Sequence, residues 1–233
     1  MINILRITLF VFLLVPVSEA VAQKRINTAD DVYGSDPLLY NGRLYTAFYR
    51  INAENNQYLV SGQFEPGTVT IRGMRYTGLM LNYDIYNQQL LLEYEGNTDF
   101  KTVIIISDAW LESFTIGNRQ FIILRSPDNG SRYCQEIGSG STRVLYFWKK
   151  YLQFDNVSGT SKSRFSKPVR EMSLLTNGKT VKYTNNRSFV KLFGPEKKKE
   201  IRVYLNSHHI NVKKAGDEVM EQLIIFCNAP GAK

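Results

Sequence analysis

His208 and His209 are the only imidazoles in this chain of 233 residues, so any Ser-His-Asp or Cys-His chemistry has to use one of them. They are adjacent at the end of a helical pattern. Neighbouring helical residues point about 100° apart, so the two rings cannot grip one metal as an i, i+4 pair does. No serine or cysteine stands in a nucleophile-elbow context. Paired carboxylates are the chemistry of glycoside cleavage, and two places offer acids. Glu93 and Glu95 share one strand face, as solvated acids do, whereas Asp84 in Asn82-Tyr83-Asp84-Ile85-Tyr86 is flanked by rings; its plainer role is that of a strand-end or turn acid. Gly138-Ser139-Gly140-Ser141 has the composition of a phosphate loop without the Gly-Lys-Ser/Thr ending or a following helix. These residues lead us to expect no catalytic site, no cofactor and no metal centre.

Binding chemistry is better represented. Tyr146-Phe147-Trp148-Lys149-Lys150-Tyr151 interleaves rings with cations, a pattern suited to stacking on sugars or meeting an anionic surface. On a strand, Tyr146, Trp148 and Lys150 face one way and Phe147, Lys149 and Tyr151 the other. One ring set is therefore core, and Trp148, Lys149 and Lys150 are the candidate contacts. Lys197-Lys198-Lys199 opens a helix whose other face is apolar, which makes it a second cationic candidate.

The charge distribution agrees with these candidates. The chain carries a net +8; residues 23–142 have 10 Lys/Arg against 13 Asp/Glu, a net of −3, and residues 143–233 have 18 against 7, a net of +11. A basic C-terminal part favours an anionic partner: an acidic envelope protein, a glycan or a lipid head group, before any nucleic acid.

The compartment follows from the N-terminus. Arg6, the apolar run at residues 7–17 and the small residues Ala20-Val21-Ala22 read as an export signal over residues 1–22. The run is too short to span a bilayer, and no later stretch approaches the roughly 20 apolar residues a membrane helix needs. In an exported protein Cys134 and Cys227 are a possible disulfide. The plainer reading is two buried thiols, since Cys227 ends the apolar run Leu223-Ile224-Ile225-Phe226.

Short β-rich runs at residues 58–64, 68–71, 79–86, 89–94 and 102–107 are separated by turn residues, which is the signal of a meander. Gly117-Asn118 and Asn177-Gly178 mark hairpins joining 111–116 to 119–124 and 171–175 to 180–183. A third pairs 133–137 with 143–154 across Gly138-Ser139-Gly140-Ser141. Residues 155–167 read as a polar loop. After Asn185 the period changes to 3.6: residues 196–208 and 217–227 are amphipathic helices, with a short one at 187–193. The expected fold is α+β, an antiparallel meander, sandwich or barrel-like, with two or three C-terminal helices packed on it. Residues 23–233 form one domain whose helical segment covers about 186–228.

Leu39-Tyr40-Asn41-Gly42, the stretch 58–86 with Gly67-Thr68-Val69 and Leu81-Asn82-Tyr83-Asp84-Ile85, the Lys-rich helix ending Tyr204-Leu205, and residues 217–228 together resemble a family of uncharacterised exported proteins of Bacteroidota-type bacteria. The resemblance implies a Gram-negative envelope setting, periplasmic or outer, and brings no activity and no functional residue. The expected function is a non-enzymatic envelope protein that binds a partner protein or anionic component through its basic C-terminal region. The alternative is a glycan-binding or glycan-hydrolysing β-barrel using Asp84 or Glu93.

Overall fold

The structure, a computed structural model, describes residues 26–27, 37–40, 42–46, 53–95, 101–126, 130–157 and 160–229. The export segment 1–22 lies outside the described residues. In chain order the elements are β1 (Ile26–Asn27), α1 (Pro37–Tyr40), β2 (Arg43–Leu44), β3 (Ala53–Glu54), β4 (Glu65–Ile71), β5 (Met74–Asp84), β6 (Gln89–Glu95), β7 (Lys101–Ile105) and β8 (Leu111–Ile116). They continue with β9 (Arg119–Ser126), β10 (Gly130–Ile137), β11 (Thr142–Lys149), β12 (Leu152–Val157), β13 (Thr160–Phe165), β14 (Val169–Thr176) and β15 (Lys179–Tyr183). Three helices close the fold: α2 (Asn186–Val190), α3 (Pro195–Ser207) and α4 (Asp217–Asn228). The result is an α+β fold.

Turn chemistry sets the meander. Asn177-Gly178 takes φ of 48° and 72°, the primed two-residue turn whose twist matches the flanking strands, and places Thr176 opposite Lys179. Arg72-Gly73 does the same between β4 and β5, with φ of 49° and 74°. The strands pair antiparallel in an open sheet of order β15-β14-β11-β10-β9-β8-β4-β5-β6-β7-β2, with β1 running parallel beside β5.

The first half of this sheet curls. Tyr83 of β5 meets Phe114 of β8, Phe121 of β9 and Tyr133 of β10 with ring centroids 5.9, 5.6 and 5.6 Å apart. These strands are not neighbours of β5 in the sheet, so only curvature brings the rings together. The edge-to-face pairs with Phe114 and Phe121 add about 0.5–1.5 kcal/mol each beyond area burial. With Val69, Leu79, Leu81, Leu92 and Ile104 they form a core filled by side chains.

The second half of the sheet is covered on the same face by helices. Ile201, Leu205, Met220, Leu223 and Ile224 pack against Val144, Tyr146, Met172 and Leu174. Pro195 sits at the first turn of α3, where its missing N–H is no loss, and Asn185 caps α2 through a reciprocal bond with Ser188. Trp148 touches both clusters and joins the halves.

Three segments differ from expectation. Residues 58–64 form no strand, only a bridge from Tyr58 to Asp84, because the Asn82 amide takes the carbonyls of Ser61 and Gln63, both at 3.1 Å. The run 143–154 is two strands: β11 ends at Lys149, and β12 enters a separate small sheet of order β12-β13-β3. The polar stretch 155–167 is mostly the second arm of that hairpin, anchored by Phe165, which is buried against the Tyr86 ring at 5.2 Å. A hairpin of mostly polar residues carries no alternation for periodicity to detect.

Candidate functional site

The residues that could have done chemistry are committed elsewhere. Asp84 is fully buried, and its two oxygens accept from Tyr45 Oη (2.9 Å), the Tyr86 N–H (3.0 Å), the Asn87 N–H (2.8 Å) and Asn87 Nδ2 (2.8 Å). It closes the β5–β6 turn. Glu93 pairs with Lys101 at 2.9 Å on the surface, and Glu95 is exposed at the end of β6. His208 is exposed at the C-cap of α3, stacked on Tyr204 at 4.1 Å rather than turned to the apolar face. His209 takes the left-handed conformation that ends the helix. Among the described residues no group of three His, Cys, Asp or Glu could hold a metal, and no helix is long and apolar enough to cross a membrane.

Gly138-Ser139-Gly140-Ser141 is a clamp point for α4. Asn228, the last residue of that helix, donates to Ser139 O (2.6 Å) and Thr142 O (2.9 Å) and accepts from the Thr142 N–H (3.1 Å). Gly138 has φ +83°, and a Cβ there would stand 2.4 Å from Ile224 Cγ2. The loop thus serves to seat the protein's own helix, whose Asn228 takes the Thr142 N–H and two loop carbonyls.

The predicted binding residues do not form one surface. Trp148 donates through Nε1 to Gln135 Oε1 at 2.7 Å, and Gln135 in turn donates to Asp217 Oδ2 at 2.6 Å in the first turn of α4. Trp148 is thus an internal joint. Lys150 is buried and donates to Asn56 O at 2.7 Å; burial lowers its pKa against the opposing pull of Asp84. Lys197 donates to Ala229 O at 2.8 Å, pairs with Glu200 at 3.2 Å and lies 5.1 Å over the Phe226 ring. It ties the start of α3 to the end of α4, whereas the Lys198 and Lys199 side chains have no hydrogen bond or ion pair among those of the described residues.

Lys149 alone leads to a constellation. Strand alternation puts Tyr146 and Trp148 on the helix side of β11, and Leu145, Phe147 and Lys149 on the other. On that uncovered face, register places Glu171 opposite Phe147, and Lys182 opposite Ser173 one strand further. Three cations converge on the Glu171 carboxylate: Lys149 at 2.5 Å, Arg132 at 2.9 Å and Lys182 at 3.2 Å. The Lys149 hydrogen bond, opposed by partial burial and reinforced by Arg132 and Lys182, holds Glu171 at a pKa of about 2. Arg132 lies 4.0 Å and Lys149 4.9 Å over the Phe147 ring. A second pair, Arg143 with Glu136 at 2.5 Å, stands on the same face.

Beneath these charges lies an apolar floor. Cys134, Leu145 and Phe147 are buried and Leu124 packs beside them, yet no helix or second layer among the described elements covers them. Cys134 belongs to this face and Cys227 to the helix cluster on the other side of the sheet. The possible Cys134–Cys227 disulfide is accordingly not formed: both thiols are free and buried, separated by the sheet itself. Burial pushes Cys134 up to about 11 and Cys227 to about 12, so neither is a ready thiolate.

Four surface cavities are lined by the described residues. The largest, about 820 Å³, lies between Trp148 and the 213–219 loop. Its central cation is already engaged, since Arg170 donates to Lys213 O (3.1 Å) and Ala215 O (2.7 Å) and lies 4.2 Å over the Tyr146 ring. A cavity of about 390 Å³ lies outside the helices at Val203, Tyr204 and Phe226, and one of about 430 Å³ near Arg43 and Asp108. The fourth, about 510 Å³, is the uncovered face with Arg132, Lys182 and Glu171 on its walls. Neither Asp84 nor Glu93 lines any of the four.

The molecule is thus a curled, open meander, capped by helices on one side of its C-terminal strands and bearing a cation-rimmed trough on the other. Compared with known proteins, the chain matches no family model, no curated protein and no solved structure. Arg132, Glu171 and Lys182 were not among the residues singled out from sequence. They stand on three different strands; the excess of cations after residue 142 pointed only towards Lys182, since Arg132 precedes it and Glu171 is an acid.

Proposed function

We propose that this is an exported, non-enzymatic protein of a Gram-negative envelope that binds an anionic partner through its basic C-terminal half. The observation that carries the reading is the convergence of Arg132, Lys149 and Lys182 on one carboxylate. Three positive charges against one negative leave an excess of two, held in place on a rigid sheet rather than on mobile loops. The export pattern at residues 1–22 and the likeness to exported Bacteroidota-type proteins support the setting. The full occupation of Asp84 weighs against a glycan-cleaving site, and Lys198 and Lys199 offer a secondary cationic patch.

Retention of residues 23–233 on immobilised heparin, a generic polyanion, tests this reading. Exposed charges are screened beyond about 8 Å at physiological ionic strength, so binding weakens as salt rises. Reversing Lys149 and Lys182 to Glu abolishes most retention, chiefly through a slower on-rate, while reversing Lys198 and Lys199 has the smaller effect. Retention indifferent to salt and to the Lys149/Lys182 reversal would remove the electrostatic reading.

A further inference from the structure

We propose that the uncovered face of β9, β10, β11, β14 and β15 is a binding site for a single-chain anionic amphiphile, a ligand of the fatty-acid class. This rests on the reading that the face binds anions, and it adds the chemical class of the ligand.

Two features of the face have to be satisfied together. The cations Arg132, Lys149 and Lys182 exceed their one shared carboxylate by two charges, which asks for an anion. The floor formed by Leu124, Leu145 and Phe147 is apolar and backed by the sheet, which asks for hydrocarbon. A polyanion neutralises the first and gains nothing from the second; a neutral lipid does the reverse. An amphiphile with a carboxylate head and an alkyl chain meets both, because the cations stand directly beside the floor, with Arg132 and Lys149 over the Phe147 ring itself. The cavity volume of about 510 Å³ falls within the roughly 300–1,000 Å³ of small-ligand sites and suits one chain. The face extends over five strands, about 19 Å at roughly 4.8 Å per strand step.

Elsewhere in the sheet, comparable rows of apolar side chains are covered from within the chain, by the curl in the first half and by α2–α4 in the second. Here, among the described residues, the cover comes from side chains of the sheet itself, including Leu124, Leu175 and the stems of Arg132 and Lys149. Glu171 has a definite role in this arrangement: it gathers three cations at one point and is the group an incoming carboxylate competes with. Cys134 contributes bulk to the floor and no covalent chemistry, being a protonated thiol at neutral pH.

Calorimetric titration of residues 23–233 with octanoate, decanoate and dodecanoate below their micelle thresholds tests the proposal, with dodecyl maltoside as the neutral chain and heparin as the chainless polyanion. The expected result is saturable one-to-one binding of dodecanoate, weaker by roughly tenfold for each two carbons removed, the scale set by methylene burial. Dodecyl maltoside binds at least tenfold more weakly. Ser173→Phe, which fills the trough from a half-exposed position, abolishes dodecanoate binding and leaves heparin retention intact; Thr180→Phe on the same wall serves if that variant does not fold. Glu171→Gln tightens dodecanoate binding by releasing the cations. Absence of saturable dodecanoate binding, affinity independent of chain length, or binding unmoved by a folded trough-filling variant overturns the proposal. If heparin retention is still salt-dependent and lost on reversing Lys149 and Lys182, the anionic reading stands and only the amphiphile is excluded; if both fail, both fall.

Discussion

The strands β10, β11 and β14 present two faces of similar apolar content with opposite fates. On one, Val144, Tyr146, Met172 and Leu174 are sealed by α2–α4. On the other, Cys134, Leu145 and Phe147 are buried only by neighbouring side chains, several of them charged. Along β11, Val144-Leu145-Tyr146-Phe147 is buried residue after residue, the pattern of a strand covered on both sides. The chain supplies one cover as a helical layer. For the other it supplies arginine and lysine stems, which shield apolar surface while keeping their charges in water. One face therefore carries stability and the other is free to carry recognition.

The largest expected effect breaks the first face. Leu223 and Leu205 are buried at the centre of the helix cluster, and Leu→Ala at such sites typically costs about 2–5 kcal/mol. Leu124→Ala on the half-exposed edge of the trough removes less buried surface and should cost no more than about half as much. Thermal melts of the three variants measure the contrast. Equal losses on the two faces would mean that the trough is an ordinary part of the core.

An intermediate effect sharpens the second face. Glu171 titrates at about 2 against an ordinary 4.5 because its cationic partners favour the charged form. A depressed carboxyl stabilises the fold above its unfolded value, and that contribution is lost as pH falls from about 4.5 towards 2. With the side chain about a third exposed, solvent screening brings it to about 1 kcal/mol. Glu171→Gln should therefore lower stability by that amount at pH 7 and by nearly nothing at pH 2. A difference that stays constant across this range would mean that the ion cluster does not hold Glu171 in the folded state.

How much of this was legible in the sequence depended on how local the signal was. Asn177-Gly178, Gly117-Asn118 and the 3.6-residue period after Asn185 are short-range patterns, and the hairpins and α2–α4 formed where those patterns placed them. Residues 58–64 look like a strand, but a side chain distant in sequence, Asn82, takes their carbonyls. The candidate site failed in the same way. The grouping of Trp148, Lys149 and Lys150 was local, and strand alternation together with the end of β11 at Lys149 sent each to a different environment. Arg132, Glu171 and Lys182 meet only through the register of four strands, information that composition does not contain. Lys197 looked like one of three equivalent surface lysines, until the end of α4 supplied it with Ala229 O and the Phe226 ring.

The smallest expected effect concerns the sheet as a barrier between the two faces. Cys134 and Cys227 lie on opposite sides of it, both buried and both with pKa values raised by burial. A bridge closing a loop of this length would stabilise by about 4–5 kcal/mol in the chain-entropy account, so its presence or absence is easy to read. Because the strands themselves stand between the two sulfurs, oxidation cannot join them without opening the sheet. Dithiothreitol should therefore leave the melting temperature unchanged to within about a degree, and thiol titration of the native protein should proceed slowly, since the thiolate is the reactive form. Complete reaction should follow only in denaturant. A melting temperature that falls on reduction would show the two cysteines joined in the exported protein, and with them a different arrangement of α4 against the trough.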